Sequence, residues 1–471
     1  MNSLTPASRA HIEKIAAVYD STKEPSWPSR QYRRLLAHYY NLLIPSSASV
    51  LEVGCAEGRL LELLTAKTKT GIDISARQIE RARERIPGGH FYVQSGEEMD
   101  LNEPFDYIIL SDTINLAADV QQLLTRMLWV AHPKTRLIVN FHNTLWRPLF
   151  ALATRLGLKR KESDNSWLAG SDVANLLNLA GWEIIHTSSH ILCPVKCPGL
   201  NFLLNRCLAP LVPWCCLTLF YVARPQPKRK QQPLTTSILI PARNEAGNIE
   251  EIIARIPPLG AGTEIIFVEG HSTDPTWEEI QRVKAAYPEK KITALQQTGK
   301  GKGDAVRAGF AVATGDILMI LDADMTMPPE ELTKFYEILA TNSAEFANGV
   351  RLVYPMEKEA MRFLNLCANK IFSLLFTWLL GQNIKDTLCG TKVMLRTDYE
   401  KLVANRCYFG DFDPFGDFDL IFGANKMNLK FADVPIRYAA RTYGTTNIAR
   451  WKNGLLLLRM VLFGARKLKF V

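Results

Sequence analysis

Residues 50–58 read VLEVGCAEG and combine a short apolar strand with a glycine turn that opens a helix. The run from Val50 to Val53 is typical of a buried strand, and Gly54 and Gly58 bracket the turn. Glycine lets the backbone approach a ligand closely, and a helix N-terminus offers unpaired N–H groups. We therefore predict a parallel α/β sheet that binds a ligand at the carboxyl end of this strand.

Two later strands support a cofactor at the same edge. Asp73 ends the short strand GID about twenty residues after Gly54, where an acid can hold ribose hydroxyls. Residues 105–112 read FDYIILSD and form another buried strand. Asp112 and His142 follow strands at the expected carboxyl edge, so each is a candidate acceptor-side base or a polar loop residue.

This set resembles the class I S-adenosylmethionine-dependent methyltransferases over residues 35–223. EVGCAEG matches their first motif, and residues 94–98, QSGEE, match their adenine-contacting loop, with Ser95 where an acid is frequent. The resemblance implies S-adenosylmethionine as cofactor and these contacts: Glu52, Gly54, Gly58, Asp73, Ser95, Glu97 and Asp112.

Two alternatives stay open for this half. A nucleotide-binding dehydrogenase would share the doubly wound sheet, but the turn lacks the full Gly-x-Gly-x-x-Gly pattern, and Glu52 lies inside the strand. The half could also bind the cofactor or act as a scaffold without catalysing methyl transfer.

The strand-and-turn pattern starts again after residue 233. Residues 237–245, SILIPARNE, are a strand that we expect Pro241 to end. Residues 264–276, EIIFVEGHSTDPT, place Glu269 at the end of a second strand. Residues 299–309, GKGKGDAVRAG, form a glycine and lysine loop that enters a helix and suits a diphosphate.

Two carboxylates follow the next strand, in GDILMILDADM at residues 315–325. Asp322 and Asp324 are two positions apart, so in an extended chain they point the same way. Carboxylate oxygens suit a divalent ion that also bridges phosphates and neutralises a departing diphosphate. An acidic turn after a strand is the alternative interpretation.

These motifs, in this order, resemble glycosyltransferase family 2 with the GT-A fold over residues 235–450. DTLCGTK at 386–392 and RTYGTTN at 441–447 are most similar to the dolichol-phosphate mannosyltransferase and polyprenyl-phosphate glycosyltransferase branch. The resemblance implies Mg²⁺ or Mn²⁺ at Asp322 and Asp324. It implies that Arg351 and Arg441 face donor and acceptor phosphates. It assigns the nucleotide-sugar to Pro241, Asn244, Glu245, Glu269, Lys300, Lys302 and Asp304.

Donor and acceptor stay open at this point. Gly270 follows Glu269 where paired acids are usual, and Thr326 replaces a frequent glutamine, so a UDP-sugar and GDP-mannose both fit. A lipid phosphate acceptor is already anionic and needs no base for an inverting displacement. A glycan hydroxyl needs one, and Asp417 or Asp419 is the candidate.

Length and composition fit two domains. The 471 residues exceed the size of one hydrophobic core, and residues 225–233 are a basic, proline- and glutamine-rich linker. We predict two tandem α/β domains: residues 1–224, a doubly wound, Rossmann-like methyltransferase, and residues 234–471, a GT-A glycosyltransferase with an amphipathic C-terminal helix. The formal net charge of +9 suits phosphates or a lipid surface, and no nucleic-acid partner is expected.

The nine cysteines do not indicate a disulfide framework. A cluster of them could bind zinc, but its apolar surroundings favour small buried hydrophobic side chains: Cys193, Cys197, Cys207, Cys215 and Cys216.

Two apolar segments, Ile371–Leu380 and Leu455–Phe470, are too short to cross a bilayer and carry basic neighbours. We expect no secretory signal, because the sequence does not open with a positively charged start followed by an apolar run. We therefore expect a protein on the cytoplasmic face of the membrane, bound peripherally.

Overall fold

A computed structural model of the chain describes residues 4–21, 27–155, 168–195, 199–227, 233–351, 353, 363–406, 418–439, 441, 443 and 450–470. The chain divides into two compact units, which consist mainly of the residues up to Gln226 and of those from Pro227 to Lys469.

The strands and helices of the first unit alternate along the chain. Its strands are β1 Ser49–Val53, β2 Thr68–Asp73, β3 His90–Val93, β4 Phe105–Ser111, β5 Ala131–His142, β6 Trp182–His190 and β7 Thr218–Pro225. Its α-helices are α1 Pro6–Asp20, α2 Trp27–Leu43, α3 Arg59–Leu63, α4 Ala76–Arg85, α5 Val120–Met127, α6 Arg147–Arg155 and α7 Gly170–Leu179. A π-helical segment covers Phe202–Leu208, and short 3₁₀ turns cover Thr144–Trp146 and Pro213–Cys215.

The sheet of the first unit has the order β3-β2-β1-β4-β5-β7-β6 among the described strands. Strands β3 to β5 pair in parallel, as expected of a doubly wound sheet, whereas β7 is antiparallel to both β5 and β6. Two apolar clusters cover its faces, one including Tyr40 and Phe220 and the other including Phe141 and Trp182. The parallel part aligns the carboxyl ends of β1, β2 and β4 at one edge, where the predicted cofactor residues lie.

The second unit also alternates strands and helices. Its strands are β8 Thr235–Ala242, β9 Gly262–Glu269, β10 Lys291–Gln296, β11 Ile317–Ile320, β12 Phe346–Val350, β13 Lys392–Leu395 and β14 Phe431–Pro435. Its α-helices are α8 Ile249–Arg255, α9 Thr276–Ala286, α10 Lys302–Val312, α11 Leu332–Ala340, α12 Phe363–Leu380, α13 Arg396–Ala404, α14 Phe418–Lys426 and α15 Arg450–Leu468.

The described strands of this unit form the order β10-β9-β8-β11-β13-β12-β14. Strands β10, β9, β8 and β11 are parallel, and β13 runs antiparallel between β11 and β12. The two sheets confirm the predicted class of two tandem α/β domains.

The expectation that Pro241 ends its strand is wrong by one residue. Pro241 pairs with Val268, and β8 continues to Ala242. The pairing of β8 with β11 has already ended at Leu239. Proline is tolerated in a strand where one flank is no longer paired, because its missing N–H then costs no hydrogen bond.

Helices α12 and α15 pack against each other within the second unit. Phe376 and Leu379 of α12 and Leu457 and Met460 of α15 are buried. No helix in the described part of the chain is both long and apolar enough to cross a membrane.

Candidate functional site

The loop after β1 is built for close approach of a ligand. Gly54, Ala56 and Gly58 all have φ between 46° and 76°, in the left-handed region. The carboxylate of Asp73, at the end of β2, accepts the Ala56 N–H at 2.8 Å and the Ser75 N–H at 2.9 Å. Asp73 therefore fixes the loop between the first strand and helix α3, and it keeps lone pairs for a ligand hydroxyl.

Glu52 is buried on β1, below this loop. Its Oε2 atom has no hydrogen-bond partner in the structure. Burial raises the pKa of Glu52 to about 8, although the positive charge of Arg33 acts in the opposite direction. A buried carboxyl oxygen without a partner suits a ligand that brings a donor, such as the ammonium group of an amino acid.

The loop at residues 94–98, which was predicted to contact adenine, is held by hydrogen bonds of its own side chains. Ser95 donates its hydroxyl to Glu97 at 2.7 Å, and the backbone N–H of Ala118 donates to Glu97 at 2.9 Å. Ser95 and Glu97 thus lie together, and Glu97 joins the loop after β3 to the segment after β4.

The candidate acceptor residues also meet. Asp112, with φ of 56°, accepts the Asn140 amide at 2.8 Å and the Tyr32 hydroxyl at 3.3 Å. His142 Nδ1 lies 3.6 Å from Asp112, and the His142 ring stacks on Tyr32 with a centroid distance of 5.7 Å. Tyr40 donates to Asn140 at 2.6 Å. The ends of β4 and β5 therefore present a carboxylate and an imidazole side by side.

These residues fit S-adenosylmethionine. The positive-φ loop, the Asp73 carboxylate and the unpartnered Glu52 oxygen lie at or beside one sheet edge. Sequence reasoning did not find Tyr32, Tyr40 or Asn140, because each is an ordinary helix or strand residue without a motif.

We predict that Asp73→Ala weakens S-adenosylmethionine binding, because the variant loses both the loop-fixing hydrogen bonds and the ribose contact. Gly58→Val should have the same effect, since φ of 73° strains a β-branched residue and the added atoms would approach Ala82. A loss of about 1 to 3 kcal/mol is expected for the aspartate variant, measured by titration calorimetry. Unchanged affinity in both variants would place the cofactor site elsewhere.

Residues of the second unit that are predicted to contact the nucleoside belong to a hydrogen-bond network around two loops. Asn244, with φ of 57°, donates its N–H to Ser272 at 3.0 Å and accepts the Thr273 N–H at 2.7 Å. Glu269 accepts the Ser272 N–H at 2.5 Å. The carboxyl ends of β8 and β9 therefore form one rigid edge, and Pro241 lies half-buried just before it.

Asp322 lies against the glycine and lysine loop. Lys302, the first residue of α10, donates to Asp322 at 2.5 Å. Burial disfavours the charged carboxylate, but the positive charges of Lys302 and Lys392 outweigh it and lower the pKa of Asp322. Asp304 accepts the Gly299 N–H at 2.9 Å and so holds the loop, whereas Lys300 is exposed.

Asp324 forms an ion pair with Arg441, one of the two arginines that were predicted to face phosphates. Arg441 donates to Asp324 at 2.7 Å and to Glu245 at 3.1 Å. Thr326 donates its hydroxyl to Asp324 at 2.7 Å. Burial raises the pKa of Glu245 to about 7, which Arg441 opposes and Asp324 reinforces.

Arg351 takes a different partner. It is held by a two-pronged ion pair with buried Asp386, at 2.7 and 2.8 Å, and Asn369 also donates to that carboxylate. Burial opposes ionisation of Asp386, but Arg351 lowers its pKa. Lys392 is almost wholly buried, donates to the Cys389 carbonyl, and lowers the pKa of both Asp322 and Asp386 by its charge.

Gly390, within the DTLCGTK motif, lies against the predicted metal ligand Asp322. A Cβ atom at this position would overlap the Asp322 carboxylate and the Lys302 ammonium. The backbone of residue 390 therefore lies close to Asp322 and leaves no room for a side chain. Asp386, Gly390 and Lys392 lie within one heptapeptide, so the motif itself was the available signal.

The two carboxylates fit a divalent ion through their donor chemistry. Carboxylate oxygens are what Mg²⁺ and Mn²⁺ prefer. Among the residues that the structure describes, no group of three or more His, Cys, Asp or Glu side chains forms a metal cluster. The two aspartates would therefore leave further coordination positions to phosphate and water.

The remaining predicted residues lie apart or are not described. Asp419 forms an ion pair with Arg406 at 3.3 Å, and Asp417 lies outside the described residues. Cys193 and Cys216 are buried, Cys207 is half-buried and Cys215 is exposed, all as free thiols. Cys197 also lies outside the described residues.

Two family models match the chain, one in each half. Residues 237–403 match Glycosyl transferase family 2, and residues 44–181 match Methyltransferase domain. The chain therefore carries a family 2 glycosyltransferase domain and a methyltransferase domain, as predicted.

Among curated proteins, the chain is 38% identical over 122 residues to a dolichol-phosphate mannosyltransferase of Pyrococcus furiosus. That match covers 26% of this chain and 34% of the relative. It is 29% identical over 215 residues to an undecaprenyl-phosphate 4-deoxy-4-formamido-L-arabinose transferase of Pectobacterium carotovorum, covering 45% and 61%. The chain thus spans between one third and three fifths of the length of these relatives.

Solved structures match each half. A methyltransferase of Thermotoga maritima, described as a possible histamine N-methyltransferase, is 17% identical, with 46% of this chain and 98% of that chain covered and a TM-score of 0.34. Glucosyl-3-phosphoglycerate synthase of Mycobacterium tuberculosis, in complex with Mn²⁺, UDP and glucosyl-3-phosphoglycerate, is 19% identical, with 50% and 80% covered and a TM-score of 0.36.

Proposed function

We propose that the chain is a bifunctional enzyme. Its second half transfers a sugar from a nucleotide-sugar to a polyprenyl or dolichyl phosphate with inversion, and its first half transfers a methyl group from S-adenosylmethionine to an acceptor. The observation that carries the proposed glycosyl transfer is a set of two ion pairs at the carboxyl edge of the second sheet. They are Lys302–Asp322 and Arg441–Asp324. Each pair joins one acid to one cation, and we assign the two cations to phosphate binding.

The donor site follows from the same edge. Asn244 and Glu269 fix the loops where the base and ribose would lie, and Lys302 lies at the N-terminus of α10, where a diphosphate is favoured. A Mg²⁺ or Mn²⁺ ion held by Asp322 and Asp324 would neutralise charge on the departing diphosphate. Both a UDP-sugar and GDP-mannose satisfy this arrangement.

The acceptor is proposed to be a lipid phosphate. The two curated relatives are named for dolichol phosphate and undecaprenyl phosphate. An anionic acceptor requires no general base, and Asp419, a candidate base for a hydroxyl acceptor, is neutralised by Arg406. Arg441, which contacts both Glu245 and Asp324, would orient the reacting phosphates at the sheet edge.

The deciding experiment is a donor screen with polyprenyl phosphate and, in parallel, with the free polyprenyl alcohol. We expect turnover with one nucleotide-sugar on the phosphate and none on the alcohol, and loss of turnover with EDTA. Equal turnover on both acceptors would contradict the lipid-phosphate assignment, and full turnover in EDTA would contradict the metal.

Methyl transfer is supported by the cofactor edge of the first unit. S-adenosylmethionine supplies an electrophilic methyl group when it is bound. Asp112 and His142, 3.6 Å apart, are our candidates for accepting a proton from a nucleophile or orienting it. Label transfer from methyl-labelled S-adenosylmethionine, compared with binding alone, distinguishes an active methyltransferase from a binding module.

The ionisation of Glu52 predicts a pH dependence in the first unit. A carboxyl group whose pKa is raised to about 8 by folding stabilises the folded state at low pH, and this stabilisation is lost as the pH rises through 8. Unfolding of the ligand-free wild type should therefore become easier between about pH 5 and pH 8, with a slope up to about 1.4 kcal/mol per pH unit steeper than in Glu52→Gln. Parallel pH profiles of thermal unfolding in the two proteins would exclude this ionisation.

We also propose that the protein works on the cytoplasmic face of the membrane and binds it peripherally through α12 and α15. Ile371 and Leu374 of α12 are 58% and 71% exposed, and Leu455 and Leu462 of α15 are more than half exposed. Helix α15 contains no acidic residue and ends in Arg466 and Lys467. An apolar face with basic neighbours is typical of an interfacial helix.

Replacing Leu455, Leu458 and Leu462 with glutamine should weaken co-sedimentation with anionic liposomes about tenfold, because each exposed leucine loses its contact with acyl chains. These positions face outward, so the packing of Leu457 and Met460 is kept. Unchanged liposome binding would remove α15 from the membrane contact.

A further inference from the structure

The first unit has an exposed apolar surface of its own. Leu145, Leu149 and Leu152 are 62%, 54% and 54% exposed, and their spacing places them on one face of the segment that leads into and forms α6. A second stretch adds more exposed apolar side chains: Phe202, Leu203, Leu208, Leu211 and Trp214. We name these two groups together the 145–214 surface.

The two stretches are tied together and are well anchored. Asn143 donates to the Trp214 carbonyl at 2.9 Å and to the Cys216 carbonyl at 3.1 Å, and Trp146 donates to the Cys215 carbonyl at 2.9 Å. Buried Asn205 accepts the Leu192 and Cys193 N–H groups, both at 2.8 Å, so the π-helical segment is fixed to the end of β6. The apolar side chains therefore project from a structured base.

In the described stretches 145–155 and 199–215, every charged side chain is basic. No acidic residue occurs between Asp119 and Glu162 or between Glu183 and Glu245. Arg147, Arg155 and Arg206 are exposed among the apolar side chains, and Arg206 lies 5.9 Å from the Phe202 ring. A surface that combines leucines, an exposed tryptophan and arginines without acids matches the headgroup region of an anionic bilayer.

The 145–214 surface adjoins the candidate methyl-transfer site. Phe150, on the inner side of α6, contacts the ring of His142 edge-on at a centroid distance of 5.2 Å. His142 is the residue that lies 3.6 Å from Asp112. A bilayer that covers α6 would therefore lie next to the end of β5.

We propose that the 145–214 surface docks the first unit on an anionic lipid bilayer, independently of helices α12 and α15. The docking places His142 and the end of β5 next to the membrane surface. The proposal concerns binding alone, and it rests on the proposed function only in that both halves then work at one membrane.

The test is flotation of the full-length chain with vesicles of equal parts phosphatidylglycerol and phosphatidylcholine. The test variant carries Leu149→Gln and Trp214→Gln. A matched control carries Leu179→Gln and Trp129→Gln, which replace equally exposed residues of the same unit outside the surface. Both variants are also made in the chain with Leu455, Leu458 and Leu462 replaced.

We expect the test variant to lose about tenfold in vesicle partition in both backgrounds, and the control to lose none. Partition onto phosphatidylcholine alone should be weaker for the wild type. S-adenosylmethionine binding, measured by calorimetry, checks that the variant is folded and reports the cofactor site separately from docking.

Three results would overturn the proposal. The first is a partition of the test variant equal to that of the control. The second is equal partition onto neutral and anionic vesicles. The third is unchanged partition with a lower mass in sedimentation, which would make the surface a contact between two copies of the chain.

Discussion

Asp322→Ala or Asp324→Ala should lower glycosyl transfer by at least about 10²- to 10³-fold, the size of effect seen when a group that stabilises developing charge is removed. Each aspartate contributes one of the two carboxylates that can hold a divalent ion at the end of β11. The measurement is transfer from the accepted nucleotide-sugar to polyprenyl phosphate under saturating Mn²⁺ or Mg²⁺. Removal of metal by EDTA should reproduce the loss in the wild type.

S-adenosylmethionine binding in the same variants is the internal control, because Asp73 and Glu52 belong to the other unit. Affinity for S-adenosylmethionine should equal that of the wild type. A variant that keeps nearly full glycosyl transfer would show that the pair does not hold the metal.

Gly390→Ala should lower glycosyl transfer about a hundredfold or more, although alanine is the smallest change available. The added methyl group would overlap the Asp322 carboxylate and the Lys302 ammonium, so one of the two has to move. The long side chain of Lys302 can swing aside, but the short side chain of Asp322 follows the buried strand β11 by two residues and has little freedom to move. The affinity for the metal, measured by Mn²⁺ titration, should fall together with turnover.

Gly262→Ala is the matched control for this prediction. Its added methyl group would meet only Thr235 at 4.0 Å, an ordinary contact. It should leave glycosyl transfer and unfolding temperature close to wild type. If Gly390→Ala also behaves like wild type, the backbone at that residue does not press on the metal site in the working enzyme.

The fold could be predicted from sequence because its signals are local. VLEVGCAEG and SILIPARNE each place an apolar strand before a turn, and alternation of strands and helices determines the class of sheet. The antiparallel orientation of β7 and β13 could not be predicted. A short apolar sequence does not determine whether the strand pairs in parallel or antiparallel with its neighbour. The extension of β8 through Pro241 could not be predicted either, because it depends on the pairing of β8 with β11 ending at Leu239.

The site could be predicted only where a residue belongs to a motif. Asp73, Glu97, Asp322 and Asp324 end or follow strands of the two sheets, and their assignment to ligands stays a prediction. The carboxylate partners of the two predicted arginines could not be predicted from the sequence, because they lie far away along the chain. Arg441 is 117 residues from Asp324, and Arg351 is 35 residues from Asp386. The assignment of Arg351 and Arg441 to phosphates remains a prediction, and the structure adds that each is held by a carboxylate.

Lys302 and Arg441 give the two aspartates tethered counter-ions. Neither cation can diffuse away, so a metal ion arriving alone competes with charges that are always present at high local concentration. A diphosphate arriving with the metal would offer both cations a new partner at the moment they are displaced. We therefore expect the metal and the nucleotide-sugar each to raise the affinity of the site for the other. Binding would then exchange one set of ion pairs for another, and the two carboxylates would stay neutralised throughout.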